Sequence, residues 1–264
     1  MKKYFFTITA GRTGSNWLAN FMSANLKTKS IHEPLEINDF GLKMPDIKIM
    51  RTFNDIGNNI LIKNFWNNKL KLIENENIYV ETNHTLSKCG LVENLANSNM
   101  SENSILILLN RNIVDQCVSY LTRHDFTNIT IVWQWYLHTS YKKKIVNPVP
   151  FEKFGNAGLA LWYCYEMLAR QAYYKKLFSK KIKMIEIDLE DLNSEKGAEN
   201  FLKNIGIMNK CIIPKKTNQN KRVFSQKLYD DIAKLVSSVK FNAEDIVNTA
   251  LQNGFTFEES QNEL

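Results

Sequence analysis

The sequence has little cysteine and little proline, and it lacks any long apolar run. Four of its 264 residues are cysteine and five are proline, and no two cysteines form a C-x-x-C pair. Dispersed cysteines predict free thiols in a reducing compartment, so we expect a cytoplasmic protein. No run of about 18 apolar residues is present, so we expect no membrane span. The apolar stretch from Tyr4 ends at Arg12, which is too short for a secretory signal.

The charge is basic, but no segment concentrates it. The chain has 34 lysines and arginines against 27 aspartates and glutamates, a formal net charge of +7. No Lys/Arg block forms an arm for nucleic acid, and no aromatic residues interleave with basic ones as in base-stacking proteins. The excess of positive charge is therefore typical of a solvated surface or of a protein that binds a small polyanionic ligand. With 44% hydrophobic residues, the chain can form one α/β domain over residues 1–264.

A strand, a glycine-rich turn and a helix follow one another near the start of the sequence. The apolar run that begins at Tyr4 leads into Gly-Arg-Thr-Gly-Ser-Asn, and a helix-like stretch follows. Gly11 and Gly14 permit a tight turn, and the first amides of a helix have no internal partner. Ser15 and Asn16 add donors, while the Arg12 guanidinium suits phosphate or sulfate oxygens. The segment predicts an anion site.

The turn differs from the P-loop of nucleotide hydrolases. That motif has four residues between its glycines and then Lys-Ser or Lys-Thr. Here two residues separate Gly11 from Gly14, and no lysine follows directly. ATP chemistry is therefore not the first expectation. The alternative is a turn whose glycines serve geometry alone and whose Arg12 is solvated.

A second strand-helix junction carries another arginine. Ser104 to Leu109 is a short apolar run that predicts a strand buried on both faces of a parallel sheet. Arg111 follows, and the apolar positions from Ile113 to Leu121 fit one face of a helix. Arg111 is thus expected at the ligand edge of an open α/β sheet. Nucleotide hydrolases usually place a magnesium-binding aspartate there, and this chain has a cation.

Together the segments GRTGSNWL and NRNIVDQCVSYLTRH resemble the two cofactor signatures of sulfotransferases that use 3′-phosphoadenosine 5′-phosphosulfate (PAPS). The resemblance implies a P-loop-like parallel sheet flanked by helices, the sulfotransferase fold. It implies that the second signature contacts the 3′-phosphate through Arg111 and Ser119. Ile113 stands where many members have proline. The 5′-phosphosulfate contacts implied by the first signature are Arg12, Thr13, Gly14, Ser15, Asn16 and Trp17.

The segment Ser30 to Asp39 resembles an acceptor-side element of the bacterial sulfotransferases that modify trehalose. If Pro34 opens a helix, Glu33 and Glu36 share a face. The resemblance makes Glu36 the candidate base and Glu33 a substrate contact. A solvated helix start is the simpler alternative. A metal pair of His32 and Glu36 is poorly supported because no second histidine lies near.

Further candidates lie in loops. His84 follows a predicted strand, Ile78 to Glu81, and is a candidate second acid or base, or a surface histidine. Trp133, Trp135 and Tyr136, near Arg123, fit either an acceptor pocket or a buried core. The basic loop 214–222 is either a phosphate contact or solvated, and its charged residues are Lys215, Lys216, Lys221 and Arg222.

The remaining pattern completes an α/β chain. It predicts a long helix from Asn156 to Ser179, a strand from Lys183 to Ile187, and two amphipathic helices between Ser225 and Leu251. The stretches 41–72 and 124–154 have weak periodicity, and we expect them to carry acceptor specificity.

The sequence thus predicts an enzyme that moves a sulfuryl group from PAPS to a hydroxyl of a small-molecule or carbohydrate acceptor. Transfer occurs in line, with a carboxylate base and without metal. Two alternatives stay open: a small-molecule kinase, and a non-enzymatic module that binds anions or nucleic acid. The oligomeric state is also open.

Overall fold

The structure is a computed structural model, and it describes residues 2–126, 136–215 and 225–259. Within these ranges, five parallel strands form one sheet in the order β2-β3-β1-β4-β5. Their bounds are Lys3–Ile8 (β1), Ser30–Ile31 (β2), Ile78–Glu81 (β3), Ser104–Asn110 (β4) and Lys183–Asp188 (β5). The predicted fold class, a central parallel sheet flanked by helices, is confirmed.

The helices of the described chain connect and cover these strands. A 3-10 turn covers Leu86–Lys88 after β3, and another covers Ile37–Asp39. The α-helices are Ser15–Leu26 (α1), Ile47–Asp55 (α2), Ile60–Ile73 (α3), Leu91–Leu95 (α4), Ile113–Thr122 (α5), Val149–Glu152 (α6), Gly155–Phe178 (α7), Leu189–Leu192 (α8), Glu195–Asn204 (α9), Gln226–Ser238 (α10) and Ala243–Gln252 (α11). None of them is both long and apolar enough to cross a bilayer.

Side chains of the central strand alternate between two hydrophobic cores. Tyr4, Phe6 and Ile8 enter one core, which contains much of α7, while Phe5 enters the other. The second core contains one face of α1, including Trp17. This alternation is the period-two pattern of a strand covered on both faces. It buries β1 from Tyr4 to Ile8 and fixes the loop that follows it at the carboxyl edge of the sheet.

Strand order brings the ends of three strands together. β1 pairs with β3 on one side and with β4 on the other, so Phe6 lies opposite Glu81 and Ile8 lies opposite Leu108. The strand order switches at β1: β2 and β3 lie on one side of it, and β4 and β5 lie on the other. Ligand crevices of open α/β sheets form at this kind of position.

One local prediction is wrong. Pro34 does not open a helix, and Glu33 and Glu36 do not share a helical face. The backbone of a residue before proline is disfavoured in the right-handed helical region, and Glu33 has a φ of 49°, in the left-handed region. Glu36 lies in extended conformation at the start of the 3-10 turn, and its N–H donates to the Asp39 carboxylate at 3.2 Å.

Glu93 on α4 is expected to make stability depend on pH. It is 1% exposed, and burial raises the pKa of its carboxyl to about 8. In the unfolded chain the Glu93 carboxyl loses its proton near its ordinary pKa, whereas in the folded protein it keeps the proton up to about pH 8. The free energy of unfolding therefore falls as the pH rises between these two pKa values. From about pH 5 to pH 7 the loss from this group is roughly 2 kcal/mol. Glu93→Gln should remove it.

Urea unfolding of both proteins at the two pH values measures the difference. Glu102→Gln, at an exposed position, is the matched control and should keep the wild-type pH slope. An unchanged slope in Glu93→Gln would contradict the burial of a protonated carboxyl.

Candidate anion-binding site

The loop between β1 and α1 has an unusual backbone. Gly11, Arg12 and Gly14 have φ angles of 88°, 56° and 83°, all in the left-handed region. Glycine adopts this conformation without strain, whereas Arg12 is a residue for which it is uncommon. Gly14 is also the N-cap residue of α1. The predicted turn thus exists, and it leads directly into a helix N-terminus.

Buried side chains hold the carbonyl groups of this loop from below. The Tyr120 hydroxyl lies 2.8 Å from the carbonyl oxygens of both Ala10 and Gly11. The Tyr163 hydroxyl donates to Ala10 at 2.8 Å, and the Gln116 side chain donates to Gly11 at 2.7 Å. Burial raises the pKa of both tyrosines well above their usual range, so they remain donors. The Ala10 and Gly11 carbonyls therefore point into the protein.

The opposite sides of these peptide units point outward. No peptide bond in the described chain is cis, and in a trans peptide the N–H lies opposite the C=O. The N–H groups of Gly11 and Arg12 consequently face away from the buried tyrosines. Among the described residues, no acceptor contacts the main-chain N–H groups of residues 11–17. A row of unpaired donors at a helix N-terminus binds anions.

The two arginines that the sequence singled out meet at this loop. Arg111 donates from Nη1 to the Arg12 carbonyl at 3.1 Å, and Arg12 donates from Nε to the Ser119 hydroxyl at 3.0 Å. Arg111 also lies 3.9 Å from Asp115, and its buried Nε has no partner among the described residues. Burial and the charge of Arg123 lower the pKa of Arg12. Arg12, Arg111 and Ser119 thus form one polar cluster.

Of the other residues predicted to contact the PAPS donor, some lie at the loop and some have side chains buried in the interior. Thr13 is buried, and its hydroxyl lies 2.5 Å from Thr9, which in turn donates to the Leu109 carbonyl. Only the Thr13 N–H is therefore available to an anion. Ser15 and Asn16 open α1. Trp17 packs in the second core, and its indole N–H donates to the Pro214 carbonyl at 3.2 Å, so it anchors a neighbouring segment.

A second polar group, His84 with Glu33 and Lys88, adjoins the loop. His84 follows β3, and a side chain added at Gly11 would meet its ring at 3.4 Å. The distance between His84 Nε2 and Glu33 Oε1 is 3.6 Å, and His84 Nδ1 lies 2.9 Å from Lys88 Nζ. His32 Nε2 is 4.0 Å from the same Glu33 oxygen. Glu33 thus faces the histidine that the sequence selected.

Burial alters the proton affinities in this second group. It lowers the pKa of His84 well below the usual value, with the charge of Lys88 as the next cause. It also lowers the pKa of Lys88 to about 7, because an ammonium group without water is costly. His84 is therefore a neutral imidazole at physiological pH. A neutral ring has one nitrogen that donates and one that accepts, and its tautomer determines which is which.

Other sequence-selected residues lie outside these clusters or outside the described chain. Glu36 is exposed at the start of its 3-10 turn, Arg123 contacts Asp125 at 3.3 Å, and Tyr136 is buried with its ring 5.8 Å from that of His84. Lys215 is exposed beside Pro214. The predicted contacts that fall outside the described residues are Trp133, Trp135, Lys216, Lys221 and Arg222.

Sequence reasoning missed the buried residues that support the site. Lys88, Gln116, Tyr120 and Tyr163 were not selected. Gln116 and Tyr120 lie within the second signature, on the same helix as Ser119, so proximity in sequence could have indicated them. Lys88 is four residues from His84, but no local sequence pattern indicates that this lysine is buried. In the described ranges, no cluster of three or more His, Cys, Asp or Glu side chains could hold a metal ion.

The geometry defines a class of protein: a parallel α/β chain with a glycine-containing loop, a candidate anion site, at the edge of its sheet. No family profile and no curated protein matches the sequence. Among solved structures, a crystal structure of a sulfotransferase from Alicyclobacillus acidocaldarius overlaps it with a TM-score of 0.49 and 12% identity, over 96% of each chain. An overlap of this size does not establish a shared function.

Gly14 is expected to be intolerant of substitution. Its φ is 83°, and an added Cβ would lie 2.6 Å from a Leu189 methyl group. Gly14→Ala should therefore lower the free energy of unfolding, by about 1–3 kcal/mol from backbone strain and more from the collision. Urea denaturation of Gly14→Ala, Leu189→Ala and the double variant separates the two causes. The double variant should recover only the part of the lost stability that comes from the collision with Leu189. Wild-type stability in Gly14→Ala would contradict the loop conformation.

Proposed function

We propose that the protein transfers a sulfuryl group from PAPS to a hydroxyl group. The observation that supports this most directly is the meeting of Arg12, Arg111 and Ser119 at one loop whose outward N–H groups have no acceptor among the described residues. A nucleotide with phosphate groups at both its 3′ and 5′ positions needs two clustered sets of cationic and neutral donors. The resemblance of both signatures to PAPS-dependent sulfotransferases assigns one set to each position.

The residues present fit such a donor. The main-chain N–H groups of residues 11–17, which have no acceptor in the part of the chain that is described, and the terminal nitrogens of Arg12 suit the 5′-phosphosulfate. Arg111 and Ser119 suit the 3′-phosphate. Arg111 retains a buried Nε without a partner in the described chain. An uncompensated guanidinium nitrogen is costly, and a bound phosphate oxygen would satisfy it. On this proposal, residues 1–264 form one catalytic domain.

Catalysis in this scheme relies on a base and on fixed cations. A carboxylate takes the proton of the acceptor hydroxyl while that oxygen bonds to sulfur, and the electron pair of the breaking S–O bond passes to the phosphate oxygen. Arg12 stabilises the charge on that leaving oxygen. A donor fixed where charge develops lowers the barrier by about 3 kcal/mol. No step in the scheme is assigned to a metal.

Two carboxylates are candidates for the base. The resemblance to trehalose-modifying sulfotransferases selects Glu36, but Glu36 is exposed in extended backbone. Glu33 is less exposed and lies 3.6 Å from His84 beside the loop. We therefore propose Glu33 as the base that takes the proton from the hydroxyl of a small-molecule or carbohydrate acceptor.

Titration with 3′-phosphoadenosine 5′-phosphate (PAP), the product, tests donor binding. Arg12→Ala and Arg111→Ala should each weaken binding by roughly 1.5–3 kcal/mol, about 10- to 150-fold in Kd, because each removes a charged partner of a phosphate. Calorimetry measures the change. Arg51→Ala, at an exposed position on α2, is the charge-matched control and should bind as the wild type does. Equal affinity in all four proteins would contradict the proposal, as would binding of ATP with Mg²⁺ but not of PAP.

Substitution of each candidate glutamate by glutamine tests the assignment of the base. Glu33→Gln should lower transfer from radiolabelled PAPS by roughly 10²- to 10⁴-fold, the usual contribution of a positioned base. PAP affinity should stay near the wild-type value. The matched control is Glu36→Gln, which should retain transfer. The acceptors are a panel of carbohydrates that includes trehalose. If Glu36→Gln loses transfer and Glu33→Gln keeps it, the assignment of the base is wrong.

A further inference from the structure

Lys88 is a fully buried cation in direct contact with His84. Its exposure is 0%, and its Nζ lies 2.9 Å from His84 Nδ1 and 2.9 Å from the Tyr163 hydroxyl. The rings of Tyr163 and Tyr136 lie 5.3 and 5.5 Å from the same nitrogen. The sequence did not single this lysine out, and neither donor binding nor the base assigned above uses it.

The direction of these hydrogen bonds follows from the number of protons available. The Tyr163 hydroxyl has one proton and donates it to the Ala10 carbonyl, so its oxygen accepts from Lys88. An ammonium group has no lone pair and can only donate. When Lys88 is charged, it must therefore donate to His84 Nδ1. A neutral imidazole whose Nδ1 accepts carries its proton on Nε2.

We propose that Lys88 is a positioning residue that fixes the tautomer of His84. The ammonium group holds the imidazole proton on Nε2, from which it faces Glu33 at 3.6 Å. Loss of the lysine proton gives the amine a lone pair that can accept from Nδ1–H. The imidazole proton then moves to Nδ1 and leaves Nε2 with a lone pair. The protonation of Lys88 thus selects whether His84 presents a donor or an acceptor to Glu33.

The surroundings allow this exchange near neutral pH. The pKa of Lys88 is about 7, and the pKa of His84 is too low for the ring to become charged in the same range. Charged and titratable groups act on the pair from several elements. They are Arg12 after β1, His32 and Glu33 after β2, Cys89 after the 3-10 turn, Tyr136, and Tyr163 and Arg170 on α7.

The consequence for catalysis rests on the proposed sulfuryl transfer. With Lys88 charged, His84 Nε2 is a donor, and Glu33 is left to take the proton of the acceptor hydroxyl. An anionic nucleotide beside Arg12 favours the charged form of a nearby lysine. Bound donor would therefore hold His84 as a donor and reserve the role of base for Glu33. With Lys88 neutral, the histidine itself would compete for that proton.

Nuclear magnetic resonance of isotope-labelled histidine reports the tautomer directly. His84→Gln assigns the resonance. In the wild type we expect the Nε2–H form at about pH 6 and a growing Nδ1–H form up to about pH 8.5, with a midpoint near the Lys88 pKa of about 7. Lys88→Met should abolish this transition. The matched control is Lys175→Met, at an exposed surface ion pair, and it should retain the transition.

The wild-type titration tests the proposal without any variant, so the test remains possible even if Lys88→Met folds poorly. A wild-type ring that is Nδ1–H at low pH, or that does not change with pH, overturns it. So does a transition that survives in a folded Lys88→Met. Saturating PAP should raise the midpoint in the wild type. If PAP does not bind while the transition is present, the proposed function fails and the role of Lys88 stands.

Discussion

The site depends on the orientation of two consecutive peptide units. Hydroxyl groups of Tyr120 and Tyr163, and the amide of Gln116, hold the Ala10 and Gly11 carbonyls in the interior. Since a trans peptide is planar, this internal contact also determines where the N–H groups point. The outward orientation of these N–H groups therefore depends on donors that lie in the interior, away from the candidate anion site. The left-handed conformation of Arg12 is maintained by the same contacts, together with Arg111.

Two kinds of cation share the edge of the sheet, and burial gives them different roles. Arg12 and Arg111 keep part of their guanidinium surface toward the loop, where permanent charge suits an anion. Lys88 lies below, without water, where its charge is conditional. A lysine responds to burial far more readily than an arginine because its amine loses a proton at accessible pH. Both kinds of charge act on His84, because burial, Lys88 and Arg12 each lower the pKa of its ring.

Much of the fold was predictable because buried strands and glycine-containing turns follow simple sequence patterns. The strand Ile78–Glu81 agrees residue for residue, and the strand-helix junctions at Arg12 and Arg111 lie where expected. Helices α2 and α3 were missed within 41–72, although Asp46 and Asn59 cap them. The carboxylate pair was misread because Pro34 was taken as a helix start. The contact between Lys88 and Tyr163 joins segments 75 residues apart, so no local pattern could reveal it.

The central position of β1 has a consequence for synthesis on the ribosome. Both strands that pair with it come much later in the chain, since Lys3 pairs with Ile78 and Tyr4 pairs with Ser104. At about 5–20 residues per second, β1 waits several seconds or longer for its second neighbour. Until β3 has been synthesised, the aromatic side chains of β1 have no paired strand to pack with. The central strand is therefore exposed as an unpaired apolar segment early in synthesis, a state in which chains are prone to aggregate.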